Sequence, residues 1–260
     1  EIGLVAAAHA LDQHDVYVPY YRDNAGLLVR NNQVDDILKY WGGYKTNITP
    51  YYKQDHHICV PVASQTTHAV GAAYALKHRN KNQLVFCSLG DGASSKGDFY
   101  EALNFACVEK LPLMFCINVN KWSISTPIIE QTMSIEKKFS GFDAIHTSIN
   151  NNDLINAYQA VRKSREVTLN TLTPSIVYYH STRLCPHTVT DDFSKYADAD
   201  EIKKLKDEYD IIETTKNVLA KANIEQNTLK KLENEAREYI VDGVKKFKTF
   251  CKTEQERLKK

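Results

Sequence analysis

Two apolar runs separated by one amphipathic helix constrain the fold of this chain more than any other feature. Leu84 to Leu89 is a short apolar run that breaks into Gly90-Asp91-Gly92, the pattern of a buried strand opening into a turn. From about Gly97 to Lys110 the apolar residues Phe99, Ala102, Leu103, Ala106 and Cys107 recur at helical spacing. After Pro112 a second apolar run, Leu113 to Ile117, ends near Asn118-Val119-Asn120. A strand, helix and strand this close in sequence form a βαβ unit, so the two strands are expected to be parallel.

The rest of the chain extends that pattern. Ser175 to Tyr179 reads as a further strand, followed by a polar loop from Ser181 to Asp192. Leu154, Ala157, Tyr158 and Val161 mark an amphipathic helix over 154–165, and Ala69 to Leu76 reads as a helix with a small-residue face. Beyond Asp200, Lys, Glu and Leu dominate, and Leu229, Leu232, Ala236, Tyr239, Ile240, Val244 and Phe247 form one helical stripe. The sequence has no internal repeat or low-complexity linker. The expectation is an α/β domain over residues 1–200, a mainly parallel sheet with helices on both faces, and a helical C-terminal extension of the same domain over 201–260.

Composition removes several function classes. With 33 basic and 32 acidic residues the net charge is +1, and no basic run is interleaved with aromatics, so a nucleic-acid partner is not expected. No stretch approaches the roughly 20 apolar residues that cross a bilayer, so no membrane span is expected. Glu1 to Ala8 is apolar but lacks the basic flank of a signal peptide. None of the six cysteines forms a CxxC pair, and Cys87 and Cys116 lie inside strand-like runs; free thiols in a reducing compartment are expected.

Ligands of a parallel sheet gather at the carboxyl ends of its strands. Asp91 follows the first strand and Asn120 the second, so both should project into one crevice. A carboxylate, a carboxamide and a backbone carbonyl are hard oxygen donors of the kind Mg²⁺ takes. The glycines let the backbone approach a diphosphate, and Gly92 and Ala93 can offer amides to its oxygens. Gly-Asp-Gly alone is a common turn; the Asn after the next strand is what makes it a candidate site.

This segment resembles the thiamine diphosphate motif, which opens with Gly-Asp-Gly and closes with Asn. The wider chain is similar to the alpha subunits of 2-oxo acid dehydrogenases. Residues 90–99, Glu101 to Ala106 and Trp122 to Thr126 all have counterparts there, as do Tyr20 to Gly26 and Pro61 to Gln65 with Ala69 to Ala73. Arg183-Leu-Cys-Pro-His-Thr188, with Asp191, Asp192 and Tyr196, resembles the family's active-site loop. The resemblance implies a thiamine diphosphate-binding fold in which Asp91, Asn120 and the carbonyl of Trp122 hold Mg²⁺. It implies Tyr21, Arg22, Gly92, Ala93 and His187 at the diphosphate, and the backbone of Val62 at the aminopyrimidine. His187 and Arg183 become the catalytic candidates, with His187 as a proton donor in acyl transfer. Asp191 and Asp192 are read as loop-ordering residues. Pro61, Ser64 and Gln65 match a loop that binds K⁺ in some relatives.

The resemblance also implies partners: a beta subunit that supplies the glutamate activating the cofactor, in an α2β2 tetramer, a lipoyl-bearing acyltransferase, and a 2-oxo acid substrate. The loop segments are most similar to the branched-chain type, with pyruvate and acetoin dehydrogenases as alternatives. The implied location is the cytoplasm, or the mitochondrial matrix of a eukaryote. Some positions depart from the family. Val119 and Asn118 replace its usual residues before the metal-binding Asn, so a phosphate contact at 118 is not expected. The loop from Gly42 to His57 is shortened, and Cys59-Val60 stands where Ser-Ser is common, which weakens the K⁺ expectation. Relatives carry one or two helices ahead of the point where this chain begins, so either a truncated subunit or part of a longer one is expected. A degenerate, non-catalytic scaffold subunit is the rival reading. A nucleotide-binding dehydrogenase lacks support, because no GxGxxG lies at a strand end.

Overall fold

The computed structural model describes residues 2–45, 47–79, 81–149, 154–208 and 210–258. Its strands are β1 (Val16–Val18), β2 (Val85–Gly90), β3 (Leu113–Val119), the short β4 (Trp122–Ser123) and β5 (Thr126–Pro127), β6 (Ile145–Ile149) and β7 (Ser175–His180). All but β4 and β5 join one parallel sheet in the order β1-β2-β3-β7-β6, while β4 and β5 pair as a small antiparallel hairpin. The helices are α1 (Ile2–Ala10), α2 (Asn24–Val29), α3 (Val34–Trp41), α4 (Ser64–His78), α5 (Gly97–Val108), α6 (Ile128–Gln131), α7 (Ile135–Lys138), α8 (Leu154–Thr171), α9 (Ala199–Glu208), α10 (Ile211–Lys221) and α11 (Gln226–Leu258).

The strand alternation sorts side chains onto two cores. Val85, Cys87 and Leu89 of β2, with Leu113, Phe115 and Ile117 of β3, face α4 and α5, where Ala69, Ala73, Phe99 and Leu103 meet them. Phe86, Met114 and Cys116 face the other way, onto Leu4 and Ala7 of α1 and Ala157 and Val161 of α8. Helices therefore cover both faces, which is why the central strands read as unbroken apolar runs rather than alternating ones. Each fully buried Phe or Leu contributes about 1.5–3 kcal/mol.

Helix boundaries shift where the backbone turns left-handed. The helix expected from Ala69 starts at Ser64, directly after Ala63 at φ +66°. The helix expected to reach Lys110 stops at Val108, with Lys110 at φ +50°, and α8 runs on to Thr171 before Leu172 at φ +52°. A left-handed residue just past the last turn is a common helix stop.

The C-terminal stripe splits in two. The 33 residues of α11 span about 50 Å. From Gly243 onward it packs on the same chain: a Cβ at Gly243 would meet Val34 of α3 at 2.4 Å, and Tyr44 meets Phe247 and Phe250 edge-on. Leu232, Tyr239 and Ile240, earlier in the stripe, remain exposed. Among the described residues no helix is long and apolar enough to cross a membrane.

The register positions the site. Gly90 pairs with Asn118, and Val119 with His180. Asp91, Asn120 and the loop from Ser181 thus leave the sheet at one edge, beside the Tyr20–Arg22 segment that follows β1.

Candidate active site

Asp91 is buried where β2 ends. Its Oδ1 accepts from the Gly92 N–H at 2.9 Å, and its carbonyl accepts from Ser94 Oγ at 2.6 Å, closing the short 3₁₀ turn over 92–95. Oδ2 is buried with no hydrogen-bond partner. Burial pushes the carboxyl up to about 6, against the pull of backbone N–H groups led by Gly92. A carboxylate left half-satisfied out of water is costly, and a cation on Oδ2 would relieve it. That orphaned oxygen is the feature that fits a divalent metal.

Asn120 supplies a second oxygen. Its Oδ1 accepts from the Trp122 N–H at 3.1 Å and keeps a lone pair free. The chain then doubles back through Lys121 at φ +71° and Ile124 at φ +56° into the β4–β5 hairpin. This brings Ser123 against Gly92, where an added Cβ would meet Ser123 Oγ at 2.3 Å. A side chain at position 92 would have to displace the Ser123 hydroxyl. Behind the turn, Lys138 of α7 donates to Ser95 Oγ at 2.8 Å.

The facing wall comes from β1 and the late loop. Arg22 Nη2 donates to the His187 carbonyl at 2.6 Å and lies 3.0 Å from His187 Nδ1, while its guanidinium stacks over the Tyr21 ring at 5.1 Å. No ion pair of Arg22 occurs among the described residues. Desolvation lowers the His187 pKa, helped by the charges of Arg22 and Arg183. Asp91, Gly92, Ala93, Asn120, Trp122, Tyr21, Arg22, Val62 and His187 all line one cleft, with Pro61 and Gln65 beside them. The two oxygen-bearing side chains expected at neighbouring strand ends do share a groove.

Arg183 does not line that cleft. It sits among the rings of Trp122, Phe193 and Tyr196, 4.9–5.6 Å from their centroids, and donates to the Tyr196 hydroxyl at 2.6 Å. Tyr196 donates in turn to Asp191, which also accepts the His187 N–H at 2.6 Å. The geometry makes Arg183 a brace of the loop carrying His187. Asp191 orders the loop from inside, and Asp192 accepts from Ser194. At the proposed K⁺ loop, Ser64 Oγ donates to the Pro61 carbonyl at 3.1 Å, so these two are bonded to each other. Gln65 donates through Nε2 to the Ser88 carbonyl at 2.9 Å and leaves Oε1 buried and unpartnered.

Sequence reasoning missed Asp23. Its carboxylate is buried and accepts from Tyr17 Oη at 3.1 Å and from Ser88 Oγ. Ser88 Oγ accepts the Tyr20 N–H at 3.1 Å, so Asp23 ties the Tyr20–Arg22 segment to β2. Burial raises its pKa to about 7. It sits within the quoted Tyr20 to Gly26 segment, but nothing in that pattern separates a buried carboxylate from an exposed one. Asn118, doubted as a phosphate contact, is not part of the cleft lining.

This sheet and cleft define a thiamin diphosphate-binding α/β fold. The chain superimposes on the transketolase of Campylobacter jejuni with a TM-score of 0.53 at 18% identity, over 68% of this chain and 32% of that one. It also superimposes on a structure described as a candidate thiamin diphosphate-dependent enzyme from Mycobacterium smegmatis, at 0.50 and 13%, over 70% and 31%. At such identities the likeness is one of fold. The chain belongs to the dehydrogenase E1 component family, whose model matches residues 2–255. It is 34% identical to the 2-oxoisovalerate dehydrogenase subunit alpha of Bacillus subtilis strain 168 over 222 residues, 79% of this chain and 67% of that protein. With the mitochondrial 2-oxoisovalerate dehydrogenase subunit alpha 1 of Arabidopsis thaliana it shares 33% identity, over 78% of this chain and 45% of the relative. With the pyruvate dehydrogenase E1 component subunit alpha of Acholeplasma laidlawii it shares 28%, over 96% and 74%. The chain thus spans 45–74% of the length of these three relatives.

Proposed function

We propose that this chain is the alpha subunit of a branched-chain 2-oxo acid dehydrogenase, with thiamine diphosphate and Mg²⁺ held in the cleft. The observation that carries the reading is Asp91, a buried carboxylate with one oxygen unpartnered, sharing its cleft with Asn120, Arg22 and His187. Asp91, Asn120 and the Trp122 carbonyl would hold the metal. Arg22, Tyr21, His187 and the amides of Gly92 and Ala93 would hold the diphosphate, a dianion or trianion suited to a guanidinium fork. The Val62 backbone would meet the aminopyrimidine. Gln65 Oε1 is the donor that supports K⁺ beside it.

Thiamine diphosphate, when bound, supplies the carbon nucleophile and electron sink for decarboxylation of a 2-oxo acid. The chain's own groups bind, orient and move a proton. Arg22 has only donors, so the His187 Nδ1 it meets is the acceptor and the ring proton sits on Nε2. In that neutral form Nε2–H can donate a hydrogen bond; to serve as the proton donor in acyl transfer to a lipoyl arm the ring must first take up a second proton. Among the described residues lining the cleft, Asp91 is the only carboxylate, and it is taken by the metal in this reading. In this reading the acid that activates the cofactor comes from a beta subunit, as the family resemblance implies. Val62 and Ile124 line the cleft and are about half exposed, at 48% and 53%, an apolar surface for a covering chain.

Calorimetry with thiamine diphosphate and Mg²⁺, with and without a beta subunit, tests the reading. Micromolar or tighter binding with the beta subunit supports it, and no binding in either case leaves the scaffold reading. The reconstituted pair should turn over 3-methyl-2-oxobutanoate faster than pyruvate, and the chain alone should be inactive. The pyruvate type is the second reading, favoured by the Acholeplasma relative matched over 96% of this chain; the reverse preference would establish it.

A further inference from the structure

The Arg22–His187 contact has a second link beneath it. Asn118, the last residue but one of β3, is 8% exposed. Its Nδ2 donates to Tyr20 Oη at 3.3 Å, and its Oδ1 accepts from Ser181 Oγ at 2.6 Å. Tyr20 opens the segment that ends in Arg22. Ser181 opens the loop that carries His187.

The main chain at both ends is already tied to the sheet. The Tyr20 N–H donates to Ser88 Oγ at 3.1 Å, and the Ser181 N–H donates to the Val119 carbonyl at 2.9 Å. What the backbone does not set is the spacing between the two segments as they rise from the sheet edge. A carboxamide carries a donor and an acceptor on one rigid plane, so it can hold a hydroxyl on each side at a set distance.

We propose that Asn118 is a positioning residue, a crossbar that sets how far the Tyr20–Arg22 segment stands from the loop at Ser181. Through that spacing it determines whether Arg22 and His187 meet over the diphosphate. The inference rests on the cofactor reading given above. It also gives the departure at position 118 a use: the side chain is spent within the protein, and not on phosphate.

The test compares Y20F, S181A, the double variant and N118L, each in the full chain together with its beta subunit. The first two remove only a hydroxyl, so the fold should tolerate them. Two readouts are taken: the Kd for thiamine diphosphate with Mg²⁺ by calorimetry, and the rate of protease cleavage within residues 181–192, with Tm as the control. Each single variant should weaken binding about three- to ten-fold, the range expected for one lost hydrogen bond, and speed loop cleavage at nearly unchanged Tm. Because the links act in series, the double variant should be no worse than either single one and should match N118L. Wild-type affinity and wild-type cleavage in Y20F and S181A would overturn the crossbar, as would multiplicative effects in the double variant. A wild type that does not bind the cofactor would overturn the reading beneath it as well.

Discussion

Arg22 and His187, 165 residues apart in the chain, meet with Arg22 Nη2 at 2.6 Å from the histidine carbonyl and 3.0 Å from its Nδ1. One guanidinium nitrogen thereby touches both the main chain of the loop and the ring, and because it can only donate, Nδ1 is the acceptor.

Replacing Arg22 should separate those two roles. R22M is expected to weaken thiamine diphosphate binding about 10- to 100-fold, the cost of charge-assisted hydrogen bonds. Lysine should not rescue it, since a point charge lacks the fork. Desolvation is the larger cause of the lowered His187 pKa and the Arg22 charge the next, so the His187 ring should titrate at higher pH in R22M. NMR of the imidazole protons checks this; an unmoved or lower titration point would refute it.

Asp91 offers a test of the metal. D91N can still accept from the Gly92 N–H, so the turn should survive. Metal-dependent cofactor binding should fall by about 100-fold or more, since even outer partners of a metal site are worth 10–100-fold. Without metal, D91N should be at least as stable as the wild type at pH 8, because an uncompensated buried carboxylate is gone. Melting curves with and without Mg²⁺ report both effects.

Gly92 is expected to tolerate no side chain. G92A forces a Cβ to 2.3 Å from Ser123 Oγ and should destabilise by about 1–3 kcal/mol, the usual cost of overpacking. Adding S123G removes the opposing atoms and should restore stability. If denaturant unfolding shows G92A unchanged, or the double variant no better, the contact is not what keeps the glycine.

Asp23 should make stability fall as pH rises. Its folded pKa of about 7 lies above the ordinary 3.8, so between those values the folded state holds more protons than the unfolded one. Stability from this group is complete below pH 4 and is lost as pH rises through 7, with a slope approaching about 1.4 kcal/mol per pH unit. D23N should flatten the profile of the cofactor-free chain over pH 5–7. Parallel profiles for the two proteins would show that Asp23 titrates normally.

The sequence alone determined the centre of the fold. β2, β3, β7 and α5 are legible because strands covered on both faces must be apolar throughout, and the helix between them must keep one apolar stripe. Asp91 follows from the same fact, since it lies in the turn just past a buried run; Asn120 needed the motif as well, because Asn118 is the first polar residue after Ile117. β1, Val-Tyr-Val, is buried but only three residues long, too short to stand out, and the edge strand β6, Ile-His-Thr-Ser-Ile, is partly exposed along most of its length and makes no apolar run. Tertiary structure alone decided the rest. It moved Arg183 from the cleft into an aromatic brace, assigned Asn118 to Tyr20 and Ser181, and buried Asp23 against Ser88, 65 residues away. Local pattern records which face of an element is dry. Which polar group meets which other across the sheet edge depends on strand order and register, and those exist only once the chain has folded.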